Sequence, residues 1–202
     1  MVNVVVFDLG NVLIPWDRRF LYQKLIADPD QLDTFLDEVL TLEANAALDR
    51  GTSLDEMVAG LIARHPDQRD LLQAFADRWP ETVGEPISES VMILDQLIEA
   101  GIACYALSNW GRDTFELVEE RYPFLKRFTG KVISGFEGVV KPEPAIFNLL
   151  CDRYGFTACD ALFIDDSATN IATASSLGFA VHHFVEPDGL RTHLGQLGLL
   201  GR

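Results

Sequence analysis

Hydrophobic residues along the chain follow two alternating patterns, which together predict an α/β protein. Short apolar runs, at residues 4–7 and 162–164 for example, have the length and composition of buried strands. Other segments, such as residues 87–98 and 145–154, place their apolar residues at helical spacing. Because helices alternate with apolar strands from Pro86 onward, we predict a doubly wound, Rossmann-like parallel sheet.

The stretch between the first strand and Pro86 has a different pattern, which predicts successive helices and no strand. Apolar residues recur at helical spacing in three consecutive segments of this stretch. Pro15 and Pro86 mark its two ends. We therefore predict a core domain formed by residues 1–14 and 86–202, with an α-helical cap, residues 15–85, inserted after the first strand.

Composition and charge restrict the binding partners and the cellular compartment that we expect for this protein. The chain has 202 residues, of which 48% are hydrophobic, and its formal net charge is −15. This charge repels the phosphate backbone of nucleic acids, so we expect no nucleic-acid partner. The longest apolar runs are strand-sized, which indicates neither a membrane span nor a signal peptide. Three cysteines without a CxxC pair suit a reducing compartment, and the sequence predicts a cytoplasmic protein.

Polar and charged side chains follow several of the predicted strands. The carboxyl ends of parallel strands meet at one edge of a sheet, where open α/β folds bind their ligands. Carboxylates within about 4 Å of each other repel by about 4 kcal/mol per pair at an effective dielectric constant near 20, so their cluster needs a cation or a shared proton. A hard divalent metal ion is the expected partner. The residues are Asp8 after the first strand, Ser108 and Asn109 after the second, Lys141 in a later loop, and Asp165 with Asp166 after the strand that follows.

The order of these sites resembles that of the haloacid dehalogenase superfamily of hydrolases. The segments FDLGNVL, LSNW, VVKPEPAIF and FIDDSATNI match its four motifs in order, and the helical insert lies where that superfamily often places a cap. The resemblance covers essentially the whole chain. It implies a phosphoric monoester hydrolase that depends on Mg²⁺ and acts on a small phosphorylated metabolite.

The resemblance also implies a role for each motif. Asp8 would attack phosphorus to form an aspartyl-phosphate, with Ser108 and Lys141 as further catalytic residues. Ser108, Asn109 and Lys141 would hold the phosphate oxygens. The implied Mg²⁺ ligands are the Asp8 carboxylate, the main-chain carbonyl of Gly10 and Asp166, with Asp165 and Asn170 bound directly or through water.

Gly10 departs from the pattern of the superfamily's phosphatases, which commonly carry a second Asp two positions after the nucleophile. Without that acid/base the rate would fall by about 10²–10⁴ unless another group replaces it. A metal-bound water, a cap residue such as Asp17 or Asp49, and a leaving group that needs little protonation are the open alternatives. The FDLGNV form resembles a bacterial branch that includes α-D-glucose-1-phosphate phosphatases, whose anomeric leaving oxygen is relatively acidic.

The same departure leaves two other functions open. The 2-haloacid dehalogenases of this superfamily also lack the second Asp. Their pattern, however, is that of enzymes that work without a metal ion, and it has small polar residues at the positions of Asp165 and Asp166. Because two unpaired carboxylates beside Asp8 would need a cation, we favour the phosphatase. A non-catalytic regulatory binder with the same fold is the remaining alternative.

Substrate choice is expected to depend on the cap and on the loops that face it, because the core motifs recognise only phosphate. Cap closure would exclude water, so we expect hinges near Pro15 and Pro86 to move between ligand states. The candidate substrate contacts in these regions are Trp16, Asn45, Arg50, Trp110 and Arg112.

Overall fold

A parallel sheet with the order β3-β2-β1-β4-β5 forms the centre of the molecule. The computed structural model describes residues 2–201. All four neighbouring strand pairs of this sheet run parallel, which confirms the predicted α/β class. The strands are β1 (Val4–Phe7), β2 (Ala103–Ser108), β3 (Gly130–Ile133), β4 (Ala161–Asp165) and β5 (Ala180–His183).

Helices cover both faces of the sheet and fill the stretch between β1 and β2. Those before β2 are α1 (Arg19–Tyr22), α2 (Pro29–Glu38), α3 (Leu42–Asp49), α4 (Leu54–Arg64), α5 (Arg69–Arg78) and α6 (Ser88–Glu99). Those after β2 are α7 (Arg112–Glu119), α8 (Ser134–Glu137), α9 (Pro144–Tyr154), α10 (Ala168–Ser176) and α11 (Pro187–Gln196). Within residues 2–201, no helix combines the length and the hydropathy that crossing a bilayer requires.

Strand β1 is buried on both faces, as expected for the central strand of a doubly wound sheet. Its side chains alternate between two apolar layers, with Val5 and Phe7 in one layer and Val4 and Val6 in the other. In the pairing register Phe7 lies opposite Ala106 of β2 and Ile164 of β4. The residues that follow these strands therefore emerge together at one edge of the sheet.

The two ends of the helical insert, residues 15–85, lie side by side where they join the sheet. The Gly84 amide donates to the Pro15 carbonyl at 2.9 Å, and the Asp17 amide donates to the Thr82 carbonyl at 3.0 Å. Trp16 and Val83 also form an isolated antiparallel bridge. This adjacency supports the division into a core and an inserted cap, whose boundaries and hinges remain predictions.

Candidate active site

Asp8 leaves the carboxyl end of β1 with its side chain buried and one of its two oxygens held in place. Its Oδ1 accepts hydrogen bonds from the Leu9 amide at 2.7 Å and from the Ser108 hydroxyl at 2.8 Å. The Lys141 Nζ lies 2.9 Å from the same oxygen. Among residues 2–201, no group donates a hydrogen bond to Oδ2. One oxygen is thus fixed while the other stays available as a nucleophile.

Lys141 is a buried cation between two carboxylates. Its Nζ lies 2.9 Å from Asp8 Oδ1 and 2.7 Å from Asp165 Oδ2, and the residue is 3% exposed. Burial lowers the pKa of Lys141, but the two carboxylates outweigh this effect and the pKa is raised. The ammonium therefore stays charged at neutral pH.

Asp165 is fully buried, and both of its oxygens have partners. The Ser167 amide donates to Oδ1 at 2.8 Å, and the Asn170 amide nitrogen lies 3.0 Å from both oxygens. Together with the Lys141 contact, these bonds engage the whole carboxylate. In this structure the Asp165 carboxylate holds the Lys141 ammonium in place.

The loop that carries Lys141 is tied to the loop after β2 through the side chain of Asn109. The Asn109 Nδ2 donates to the Lys141 carbonyl, and the Lys141 amide donates to Asn109 Oδ1, both at 2.8 Å. The amide side chain of Asn109 is thus engaged on both sides, and the contact between Asn109 and phosphate stays a prediction. Its side chain fixes the distance between the second and third motifs.

Three carboxylates at this edge lie close enough to share a cation. Asp8, Asp165 and Asp166 each offer an oxygen within 4.8 Å of the others. Burial raises the pKa of Asp8 to about 7; Asp165 adds to the increase, while Lys141 and Ser108 oppose it. Burial, together with Asp165, also raises the pKa of Asp166. One lysine does not balance three acids, and an oxygen donor set of this kind fits a hard divalent cation.

A cavity of about 160 Å³ lies in front of Asp8, between the sheet edge and the helical insert. Three tryptophans line it, and no residue of its lining is Lys, Arg or His. The core contributes Asp8, Gly10, Asn11, Asn109, Trp110, Gly111, Thr114 and Asp166. The insert contributes Trp16, Asn45, Leu48, Asp49 and Trp79.

The structure brings most of the predicted site residues to this cavity or into contact with Asp8, but it places two predicted substrate contacts elsewhere. Arg50 forms an ion pair with Glu143, with 2.6 Å between Nη2 and Oε1. The Arg112 guanidinium lies over the Phe136 ring, 5.3 Å from its centroid. Neither arginine lines the cavity, and their contact with a substrate stays a prediction.

Trp79 lines the cavity but is not among the substrate contacts predicted from the sequence. Its ring lies 6.0 Å from that of Trp110 between centroids, and both indole nitrogens are buried without a hydrogen-bond partner in the part of the chain described. In the sequence Trp79 appears as one more apolar residue at helical spacing. Its position where α5 ends, just before Pro80, is the only local signal that separates it from the other core residues.

Relatives of known function include a phosphatase of the same length. The chain is 24% identical over 197 residues to the sesquiterpene phosphatase astK of Aspergillus oryzae, an alignment that covers 96% of each chain. It is 25% identical over 197 residues to the drimenol cyclase drtB of Aspergillus calidoustus, which covers 96% of this chain. The chain spans only 36% of the length of that cyclase.

Solved structures share the fold over nearly the whole chain. A predicted HAD-like hydrolase from Porphyromonas gingivalis superposes with a TM-score of 0.76 at 26% identity, covering 98% of both chains. A HAD family enzyme from Bacteroides thetaiotaomicron, crystallised as an Asp-to-Ala mutant with magnesium and inorganic phosphate, has a TM-score of 0.69 at 22% identity and covers 91% of this chain and 94% of that one. The family model for haloacid dehalogenase-like hydrolases matches residues 2–178. The chain thus belongs to the haloacid dehalogenase-like hydrolases, as its four motifs indicate.

Proposed function

We propose that this hydrolase is a Mg²⁺-dependent phosphatase that cleaves the monophosphate ester of a small metabolite through an aspartyl-phosphate on Asp8. The observation that carries the proposal is the asymmetry of the Asp8 carboxylate. Three contacts hold Oδ1, while Oδ2 faces no hydrogen-bond donor among residues 2–201. A nucleophile held by one oxygen is ready for in-line attack by the other.

The cluster of three carboxylates at the sheet edge, Asp8, Asp165 and Asp166, supports a requirement for magnesium. Asp8 and Asp166, with the carbonyl of Gly10, would hold the ion, and Asp165, whose two oxygens already have partners, would contribute through water. When bound, Mg²⁺ supplies positive charge that neutralises the nucleophile and the phosphate oxygens. The magnesium and phosphate complex of the Bacteroides thetaiotaomicron enzyme is in keeping with this assignment.

The chain's own residues supply the remaining electrostatics of phosphoryl transfer. Lys141, charged and fixed by Asp165, places its ammonium beside Asp8, where negative charge accumulates on the transferring group. Ser108 donates to Asp8 Oδ1 and keeps the carboxylate in one orientation. The protein thus binds and orients the phosphate with few covalent steps, as this reaction requires.

The cavity favours a substrate whose leaving group is neutral. No cationic side chain lines it, so a second phosphate or a carboxylate on the substrate would find no counter-ion there. The aromatic residues Trp16 and Trp110 and the amide residue Asn45 in its lining suit an uncharged ring that also carries hydroxyl groups. A sugar monophosphate is the substrate class that we propose.

The test compares wild type with Asp8→Asn on p-nitrophenyl phosphate and on a panel of sugar monophosphates, with Mg²⁺ and with EDTA. We expect Mg²⁺-dependent phosphate release that falls by at least about 10³-fold in Asp8→Asn, because the nucleophile is gone. A parallel assay measures chloride release from 2-chloropropionate. Chloride release that persists in EDTA, without phosphate release from any ester, would replace this function with the dehalogenase alternative.

A further inference from the structure

Asp49 is a carboxylate of the helical insert that faces the core's nucleophile across the cavity. It is the last residue of α3, and its side chain lines the same cavity as Asp8 and Asp166. Asp8 and Asp166 already have roles as nucleophile and metal ligand. Among the residues that line the cavity, Asp49 is therefore the one carboxylic acid without an assigned task.

The segment that carries Asp49 is fixed to the core on both sides. Before it, Leu48 packs so closely on the loop after β2 that a Cβ at Gly111 would come within 3.0 Å of the Leu48 Cβ. After it, Arg50 is paired with Glu143 at 2.6 Å. The position of this carboxylate relative to Asp8 is thus set by contacts with the core rather than by the insert alone.

The surroundings of Asp49 raise the fraction of its carboxyl groups that are protonated near neutral pH. Burial raises its pKa to about 6, an effect that the charge of Lys141 partly offsets. Its place in the last turn of a helix, where the dipole disfavours negative charge, acts in the same direction as burial. The charged groups that face it across the cavity are Asp8 and Asp166, with Lys141 behind them. An acid with these properties is suited to both donating and accepting a proton.

We propose that Asp49 is the catalytic acid/base of this enzyme and replaces the residue that Gly10 lacks. The inference rests on the proposed phosphatase activity. It also decides between the two cap acids suggested by the sequence, because Asp17 does not line the cavity. Asp17 Oδ1 instead accepts a hydrogen bond from the Arg19 amide at 2.8 Å.

The proposed proton transfers balance over one turnover. As Asp8 attacks phosphorus and the bond to the leaving oxygen breaks, the Asp49 carboxylic acid gives its proton to that oxygen and the alcohol departs. The Asp49 carboxylate then takes a proton from water, whose oxygen attacks phosphorus. The bond from phosphorus to Asp8 breaks, inorganic phosphate leaves, and both carboxyl groups return to their starting states.

The test is Asp49→Asn, which preserves size but cannot exchange the proton, assayed on two classes of substrate with Mg²⁺. An alkyl phosphate needs protonation of its leaving oxygen, so we expect kcat/KM to fall by about 10²–10⁴-fold. The p-nitrophenolate group leaves without a proton, so p-nitrophenyl phosphate should give a burst of about one equivalent per enzyme. Slow turnover and a trapped phosphoenzyme should follow, because water activation is lost. In wild type we expect kcat/KM for the alkyl phosphate to fall at alkaline pH, because Asp49 loses its proton. This fall should be absent in Asp49→Asn.

Two further variants serve as controls. Asp17→Asn should behave like wild type on both substrates. Gly10→Asp, introduced into Asp49→Asn, should restore alkyl phosphate turnover by at least tenfold, since no atom lies within 4 Å of a Cβ built at Gly10.

The outcomes separate this inference from the proposed function. Wild-type turnover of alkyl phosphates by Asp49→Asn overturns the role of Asp49 and leaves the nucleophile in place. An inert Asp49→Asn that Gly10→Asp does not rescue overturns it as well. Failure of the wild-type enzyme itself to form a phosphoenzyme on Asp8 overturns the phosphatase, and the inference with it.

Discussion

At the scale of single residues, the site depends on one ammonium group that forms ion pairs with two buried carboxylates. Lys141 lies within 3 Å of both Asp8 and Asp165, and Asp165 has no exposed surface. Burying such charges costs several kcal/mol per ion, and only good pairing offsets that cost. Well-packed apolar side chains would stabilise the sheet edge at least as well. The network is therefore better explained by its chemistry than by stability.

Asp49 should show the same conflict between function and stability. Its pKa in the folded protein is about 6, against 3.8 ordinarily, so the folded state binds more protons than the unfolded state between these values and becomes less stable as pH rises through them. Asp49→Asn removes this cost. We expect the variant to exceed wild type in unfolding free energy by about 1–3 kcal/mol at pH 8, and by less at pH 5. Urea unfolding of both proteins in EDTA at pH 5 and pH 8 measures the difference in unfolding free energy. The same difference at both pH values would contradict the raised pKa of Asp49.

At the scale of elements, sequence periodicity predicted the parallel sheet and the helices that alternate with its strands. It succeeded there because burial on two faces or on one stripe leaves a local signature in a strand or a helix. It could not predict the partners of Arg50 and Arg112. Arg50 pairs with Glu143, which is 93 positions away, and Arg112 stacks on Phe136. Such contacts depend on how separate elements pack, and no local pattern records that packing.

The packing of α8 against the loop after β2 gives a prediction at this scale. The Gly135 amide donates to the Trp110 carbonyl at 3.0 Å, and a Cβ at Gly135 would come within 2.3 Å of the Arg112 amide nitrogen. Gly135→Ala must therefore displace the loop that carries Asn109 and Trp110. We expect a loss of about 1–3 kcal/mol in stability and a rise in KM.

Thermal unfolding and p-nitrophenyl phosphate kinetics test this prediction. The matched control is Gly189→Ala in α11, where no atom lies within 4 Å of an added Cβ, and it should be neutral or slightly stabilising. Equal behaviour of the two variants would show that the loop tolerates the displacement.

At the scale of the whole molecule, the helical insert is fastened to the core at several points around the cavity. Besides the Arg50–Glu143 pair, the Leu54 amide at the start of α4 donates to Asp113 Oδ2 of α7 at 3.0 Å. The ends of the insert meet at Pro15 and Gly84, as a hinge requires. Opening the cavity at this hinge would break the contacts of Arg50 and Leu54 with the core. The hydrogen bond between Gly84 and Pro15 would be preserved.

The net charge of −15 predicts how salt affects such an enzyme. A phosphate monoester is a dianion at neutral pH, and the charge of Lys141 is offset at a distance by the carboxylates of Asp8 and Asp165. Raising KCl from about 10 to 150 mM shortens the screening length from about 30 to 8 Å, so repulsion between enzyme and substrate weakens. We expect kcat/KM for p-nitrophenyl phosphate, at saturating Mg²⁺, to rise severalfold over this range while kcat stays constant. A fall in kcat/KM would mean that a local positive field, rather than the overall charge, governs how the substrate approaches.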